Sequence, residues 1–183
     1  MDGLKNIFLS LLSLFAVMVS GCSHKEDPAK RVKVYSEKRE AVLNQLHNEI
    51  NRVYGFVNGV PRVNSGPCGR FARDFREQWN SMFDQKINIV FAMKPDTSLC
   101  YHVLVKLPDG RYYDGGNGVI TGAVLHRQFL EGGLWLNEMK NFNYDTLDKW
   151  SYSLKRKYKR CTNYSDDTTN RIIRRYLQEL TKY

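Results

Sequence analysis

Cys100-Tyr101-His102-Val103-Leu104-Val105-Lys106-Leu107-Pro108-Asp109-Gly110-Arg111-Tyr112-Tyr113-Asp114 decides the fold of this chain and positions its chemistry. Two runs rich in β-branched and aromatic residues flank Pro108-Asp109-Gly110. There Pro presets the first turn position, and Gly suits the left-handed one that closes a type I turn. The spacing predicts a hairpin that pairs Leu107 with Arg111, Lys106 with Tyr112, Val105 with Tyr113 and Leu104 with Asp114. In that register Asp114 shares a sheet face with His102. The two are diagonal neighbours, roughly 7 Å apart along the backbone and within side-chain reach. A loop one residue shorter would send them to opposite faces.

Upstream, Ile87 to Met93 reads as the strand before this hairpin, joined to it through a Lys94-Pro95-Asp96-Thr97 turn. Before that strand, a helix from Cys68 or Gly69 to about Phe83 carries Phe71, Ala72, Phe75, Trp79, Met82 and Phe83 on one face. Pro67 fits a helix start because it has no N–H to leave unsatisfied. Cys68 thus sits where free backbone N–H groups and the positive helix end favour a thiolate. A first helix runs from a Ser36 cap to about Tyr54, buried along Val42, Leu43, Leu46, Ile50, Val53 and Tyr54. Gly55 to Pro67 reads as a loop.

Downstream, Gly115-Gly116-Asn117-Gly118 lacks the Lys-Ser/Thr and the helix start of a phosphate loop, and reads as a flexible wall of a cleft. Short helical stretches follow at 124–130, about 144–159 and about 168–182, and no internal repeat is present. The expected fold class is α+β: the Cys-bearing helix packs on a small antiparallel sheet, with additional C-terminal helices. One domain over 35–183 is long enough to bury a real core.

The N-terminus stands apart. Lys5 opens a weakly cationic region, and Ile7 to Val19 is an apolar run short for a membrane span. It closes on Val19-Ser20-Gly21-Cys22, which resembles the lipobox of bacterial lipoproteins. That resemblance implies a signal peptide over 1–21, lipid on Cys22 and a polar tether over 22–34. It also implies export and attachment to a bacterial membrane, with Ser23 favouring the periplasmic face of the outer membrane. The partners it points to are that membrane and a peptide or peptidoglycan substrate beside it.

The chain carries a formal net charge of +9. Basic residues gather late: ten Lys/Arg against three Asp/Glu over 149–183, a balance of +7. Behind an export signal such a surface suits an anionic lipid or glycan, and nucleic acid is not expected. With Cys22 assigned to lipid, Cys68, Cys100 and Cys161 remain, an odd number for an oxidising compartment. A Cys100–Cys161 disulfide would leave Cys68 free; a Cys68–Cys100 bridge would make both residues structural. Cys100, His102 and His126 lack any recognised ligand spacing, so no metal or cofactor is expected.

The order Cys68, His102, Asp114 suggests a nucleophile, a base and a carboxylate to orient the base. The Cys68 N–H would form half of an oxyanion hole, with Asn64 as the second donor by proximity. This arrangement resembles the papain-like cysteine hydrolases, closest to the transglutaminase-like and murein-endopeptidase branch. The likeness spans Gly66 to Gly118. Pro67-Cys68-Gly69-Arg70 stands where murein endopeptidases commonly have Asp/Asn-Cys-Ser/Gly-Gly, and Arg62 stands where papain proper has Gln. The resemblance implies a cysteine peptidase, amidase or acyltransferase acting on amide bonds. The competing expectation is a non-enzymatic lipoprotein that binds a partner or an anionic polymer through its basic C-terminal helices.

Overall fold

A computed structural model describes residues 28–94, 100–139 and 163–183. Val34–Tyr183 forms one compact unit, an α+β domain. Helix α1 (Pro28–Tyr54) is followed by a two-residue-stranded hairpin, β1 (Phe56–Val57) and β2 (Val60–Pro61), and a 3-10 turn over Arg62–Asn64. Then come α2 (Cys68–Met82), β3 (Asn88–Met93), β4 (Cys100–Lys106), β5 (Tyr112–Asp114) and β6 (Gly118–Ile120). A short α3 (Gly122–Leu125) runs into a π-helical turn (His126–Leu130), followed by β7 (Trp135–Met139) and α4 (Asp166–Leu180).

The larger sheet is antiparallel throughout, in the order β6-β5-β4-β3-β7. Its hairpin register is the expected one: Val105 faces Tyr113, Lys106 faces Tyr112, and the Leu107 N–H donates to the Arg111 carbonyl at 2.8 Å. Gly110 adopts φ +84°, the left-handed value the turn requires.

Period-two alternation divides the sheet's side chains between two cores. Ile89, Phe91 and Met93 of β3, Val103 and Val105 of β4 and Tyr113 of β5 join the larger core, with α1, α2 and α4. Val90, Ala92, Leu104 and Ile120 join a smaller one, with Leu125, Phe129 and Leu134. An aromatic column stiffens the larger core: Phe75 stacks on Tyr113 at 4.8 Å between centroids, and Phe71 and Trp79 flank Phe75. Offset aromatic pairs of this kind add about 0.5–1.5 kcal/mol each beyond area burial. Tyr54 Oη donates to the Ser165 carbonyl and lies 2.8 Å from Thr169 Oγ1, linking α1 to α4, and Arg70 pairs with Asp166 at 2.7 Å, linking α2 to α4.

Several expectations are corrected. The first helix begins at Pro28 rather than Ser36, so the latter half of the expected 22–34 tether is helical; proline is well suited to the first helical position. Val53 points outward, 36% exposed. Within Gly55 to Pro67, Asn58 at φ +50° and Gly59 at φ +74° form the tight turn of the β1–β2 hairpin. Strand β7, which pairs with β3, was not anticipated. The last helix starts two residues before Thr168, at Asp166, capped by the Ser165 side chain with Asp166 and Asp167 in its first turn. The expected helix at 144–159 and the 94–97 turn beyond Lys94 lie outside the described residues.

Candidate active site

Cys68 is the first residue of α2, after Pro67. Cys68, Gly69 and Arg70 carry N–H groups that the helix cannot satisfy from within, since the Phe71 N–H is the one that reaches back to the Pro67 carbonyl. His102 lies on β4 and Asp114 ends β5, on the sheet face shared with Leu104. The hairpin register brings His102 Nε2 to 2.9 Å from Asp114 Oδ2. Both side chains are buried, as is Cys68.

Asp114 is held as a carboxylate. Its Oδ1 accepts from Asn64 Nδ2 at 2.9 Å, the Gly116 N–H at 2.9 Å and the Asn117 N–H at 2.6 Å; Oδ2 accepts from Asn117 Nδ2 at 2.9 Å as well as facing His102. Burial alone would raise its pKa, but the His102 bond and these donors outweigh burial and hold it below the usual carboxylate value. His102 receives the complementary push. Burial works to lower its pKa, but the neighbouring Cys68 charge and the bond to Asp114 prevail, with a further hydrogen bond to Cys68, and its pKa rises to about 10. With Nε2 on Asp114, Nδ1 is the ring nitrogen left for the thiol. Phe129 stacks on the imidazole at 5.7 Å with planes 5° apart, fixing the ring's tilt.

The Gly115-Gly116-Asn117-Gly118 stretch is a tightly packed cradle, which corrects the expectation of a flexible wall. A Cβ on Gly115 would lie 2.8 Å from the Phe71 ring. One on Gly116 would lie 2.5–2.7 Å from Asn64 and Pro61, and one on Gly118 would lie 2.5 Å from His47 Nδ1. Asn51 Nδ2 on α1 donates to the Gly116 carbonyl at 2.8 Å. Helix α1 therefore braces the turn that aims Asp114. Asn117 alone of the four is exposed.

The other sequence-derived residues separate. Asn64 is beside the site and lines the cleft; one of its two amide N–H groups goes to Asp114, so it supports the carboxylate. Among the described residues its second N–H, the one the expected oxyanion role would use, has no bond. Cys100 is a free thiol whose Sγ donates to the His102 carbonyl at 3.2 Å, and no bridge joins it to Cys68; the other expected partner, Cys161, falls outside the described residues. Burial, with Cys68 nearby, pushes the Cys100 thiol pKa far up and keeps it protonated. His126 is remote in chemistry, paired with Glu131 at 3.3 Å. No group of metal-ligating side chains occurs among the described residues. Cys22 and Cys161 lie outside them. Asn51, Asn117 and Phe129 were not singled out from sequence. Only Asn117 left a signal, since an Asp three residues before an Asn, across two glycines, invites an Asx-type turn.

A cleft of about 490 Å³ opens on His102 and Asn117. Val57, Val60 and Pro61 of the small hairpin form one side, and Tyr101 and Phe129 also line it. Its size is that of a small-ligand or short-peptide site.

Compared with protein-family models, with curated proteins and with solved structures, the chain matches none.

Proposed function

We propose that this chain is a papain-like thiol hydrolase or acyltransferase acting on amide bonds, lipid-anchored through Cys22 in a bacterial cell envelope. The observation that carries the reading is the buried His102–Asp114 pair, its carboxylate fixed by four donors besides the imidazole, with Cys68 at a helix start beside it. A carboxylate so constrained orients an imidazole and stabilises its protonated form.

The chemistry follows from these positions. Cys68 Sγ attacks the acyl carbon, and negative charge gathers on the carbonyl oxygen. The Cys68 and Gly69 N–H groups at the start of α2 are the donors suited to that charge. His102 gives its proton to the departing amine as the C–N bond breaks, leaving a thioester on Cys68. Water or a second amine then attacks the thioester, its proton returning to His102, and Cys68 is released. Asp114 keeps the ring aligned through both halves.

Peptidoglycan stem or cross-link peptides are the first substrate, because the lipidated enzyme would stand beside them. No helix among the described residues is long and apolar enough to cross a membrane, so attachment in this reading rests on the lipid. Incubation with purified murein sacculi tests it. The wild-type protein is expected to release peptide fragments, identified by mass, that Cys68→Ser does not release. Equal release by both proteins, or none by either, would overturn the reading.

A further inference from the structure

The cleft beside His102 is built from uncharged surface. The hairpin contributes Val57, Val60 and Pro61, Tyr101 and Phe129 add aromatic surface, and the polar groups are amides and a hydroxyl, such as Asn58 and Ser65. Among the described residues, His102 is the one ionisable side chain with standing charge at neutral pH that lines it, and that charge already faces Asp114. The apolar surface continues onto the rim, where Val60 is 47% and Tyr101 43% exposed.

We propose that this cleft selects substrates whose acyl-side residue is uncharged and apolar, and refuses one bearing a free carboxylate or ammonium. The inference rests on the thiol-hydrolase reading and narrows its substrate class. An apolar side chain entering such a cleft gains in proportion to the apolar area it removes from water. A carboxylate entering it loses water and, among the described residues, meets no cation but His102, whose charge is already paired with Asp114, which is the costly case for a buried charge. Amide and hydroxyl groups among the apolar walls suit the N–H and C=O groups of a peptide backbone, which need partners when buried. For stem peptides, the bond chosen would then follow an alanine-like or amidated residue.

The test uses N-acetyl dipeptide vinyl sulfones, identical except for one residue: leucine, tyrosine, glutamate or lysine. Cys68 Sγ adds to the vinyl β-carbon, and the α-carbon takes a proton from His102, so labelling needs no leaving group. Iodoacetamide, too small to need the cleft, is the control. The full chain is expected to be labelled at Cys68 at least tenfold faster by the leucine and tyrosine probes than by glutamate or lysine. Val60→Arg, at an exposed hairpin position, is expected to raise the glutamate rate at least tenfold and lower the leucine rate. Equal rates across the four probes, or a preference for glutamate in the wild type, would overturn the selectivity. Cys68 that iodoacetamide and all four probes leave unmodified would instead overturn the thiol-hydrolase reading, and this proposal with it.

Discussion

At the scale of single residues, the site is organised around Asp114 more than around Cys68. Five hydrogen-bond contacts converge on one buried carboxylate, and each removes a way for it to turn from His102. Asn64→Ala deletes one donor without touching the thiol or the ring. Turnover is expected to fall about tenfold, the order of one charge-assisted hydrogen bond, with KM nearly unchanged. Steady-state kinetics on a released peptide checks this. Asp114→Asn should cost on the order of 10³–10⁴-fold, as loss of an orienting carboxylate does in other triads. His102 carries its own pH signature. Its pKa is raised in the folded chain, so its pairing contributes stability in full below about pH 6.5, the unfolded imidazole value, and that contribution is lost as pH rises through about 10. Imidazole NMR is therefore expected to report a charged His102 ring at pH 8 in the wild type, and a neutral one in Asp114→Asn, where burial is opposed by one anion fewer. A neutral ring in both would remove the electrostatic basis of the site.

At the scale of elements, the β4–β5 hairpin was legible because its turn residues and its alternation agree, and Pro108-Asp109-Gly110 leaves one register. The α2 stripe was legible for a similar reason, with Phe71, Phe75 and Trp79 at helical spacing and Pro67 marking the start. The rest was hidden by long-range partners. Strand β7 is short, and its pairing with β3 crosses more than forty intervening residues; Glu138, which accepts from Asn88 and Lys106 across two strands, carries no local signal of that role. Asn58-Gly59 did carry a hairpin signal, but its strands are two residues each. The bracing of the glycine cradle by Asn51 joins residues 65 positions apart and leaves no trace in sequence. Gly116→Ala should therefore damage the site rather than the core. The added methyl meets Asn64 and Pro61, and turnover is expected to fall at least tenfold with Tm lowered by only a few degrees. Circular-dichroism melting beside the kinetic assay separates the two effects. The α2–α4 interface holds a second pH-sensitive group. Burial pushes the Asp74 carboxyl up to about 6, despite Arg73 on its Oδ1, and its Oδ2 has no hydrogen-bond partner among the described residues. Between about pH 4 and 6 the folded chain holds a proton that the unfolded chain has lost, so this group lowers stability as pH rises through that window. Asp74→Asn is expected to shrink the fall in Tm between pH 5 and pH 7.5; an unchanged fall would assign it elsewhere.

At the scale of the whole molecule, the α+β domain and the proposed lipid attachment at Cys22 make separate predictions. Cys22→Ala is expected to move the protein from the membrane to the soluble fraction of a bacterial lysate while leaving purified-domain activity intact. The sequence carried the β3–β5 part of the sheet, the Cys-bearing helix and the register that brings His102 to Asp114, because each depends on local pattern and one hairpin turn. It left out the contact of Cys100, whose thiol donates to the His102 carbonyl on its own strand, because spacing does not reveal what a thiol donates to. The proposed function turns on one claim: His102, aimed by Asp114, makes Cys68 the reactive thiol of this chain. The most direct test is the rate of iodoacetamide labelling at pH 7, read residue by residue by peptide mapping, in the wild type and in His102→Ala. The claim predicts labelling at Cys68, at least tenfold slower in the variant, with Cys100 unmodified in both. Equal rates at Cys68, or faster labelling at Cys100, would contradict it.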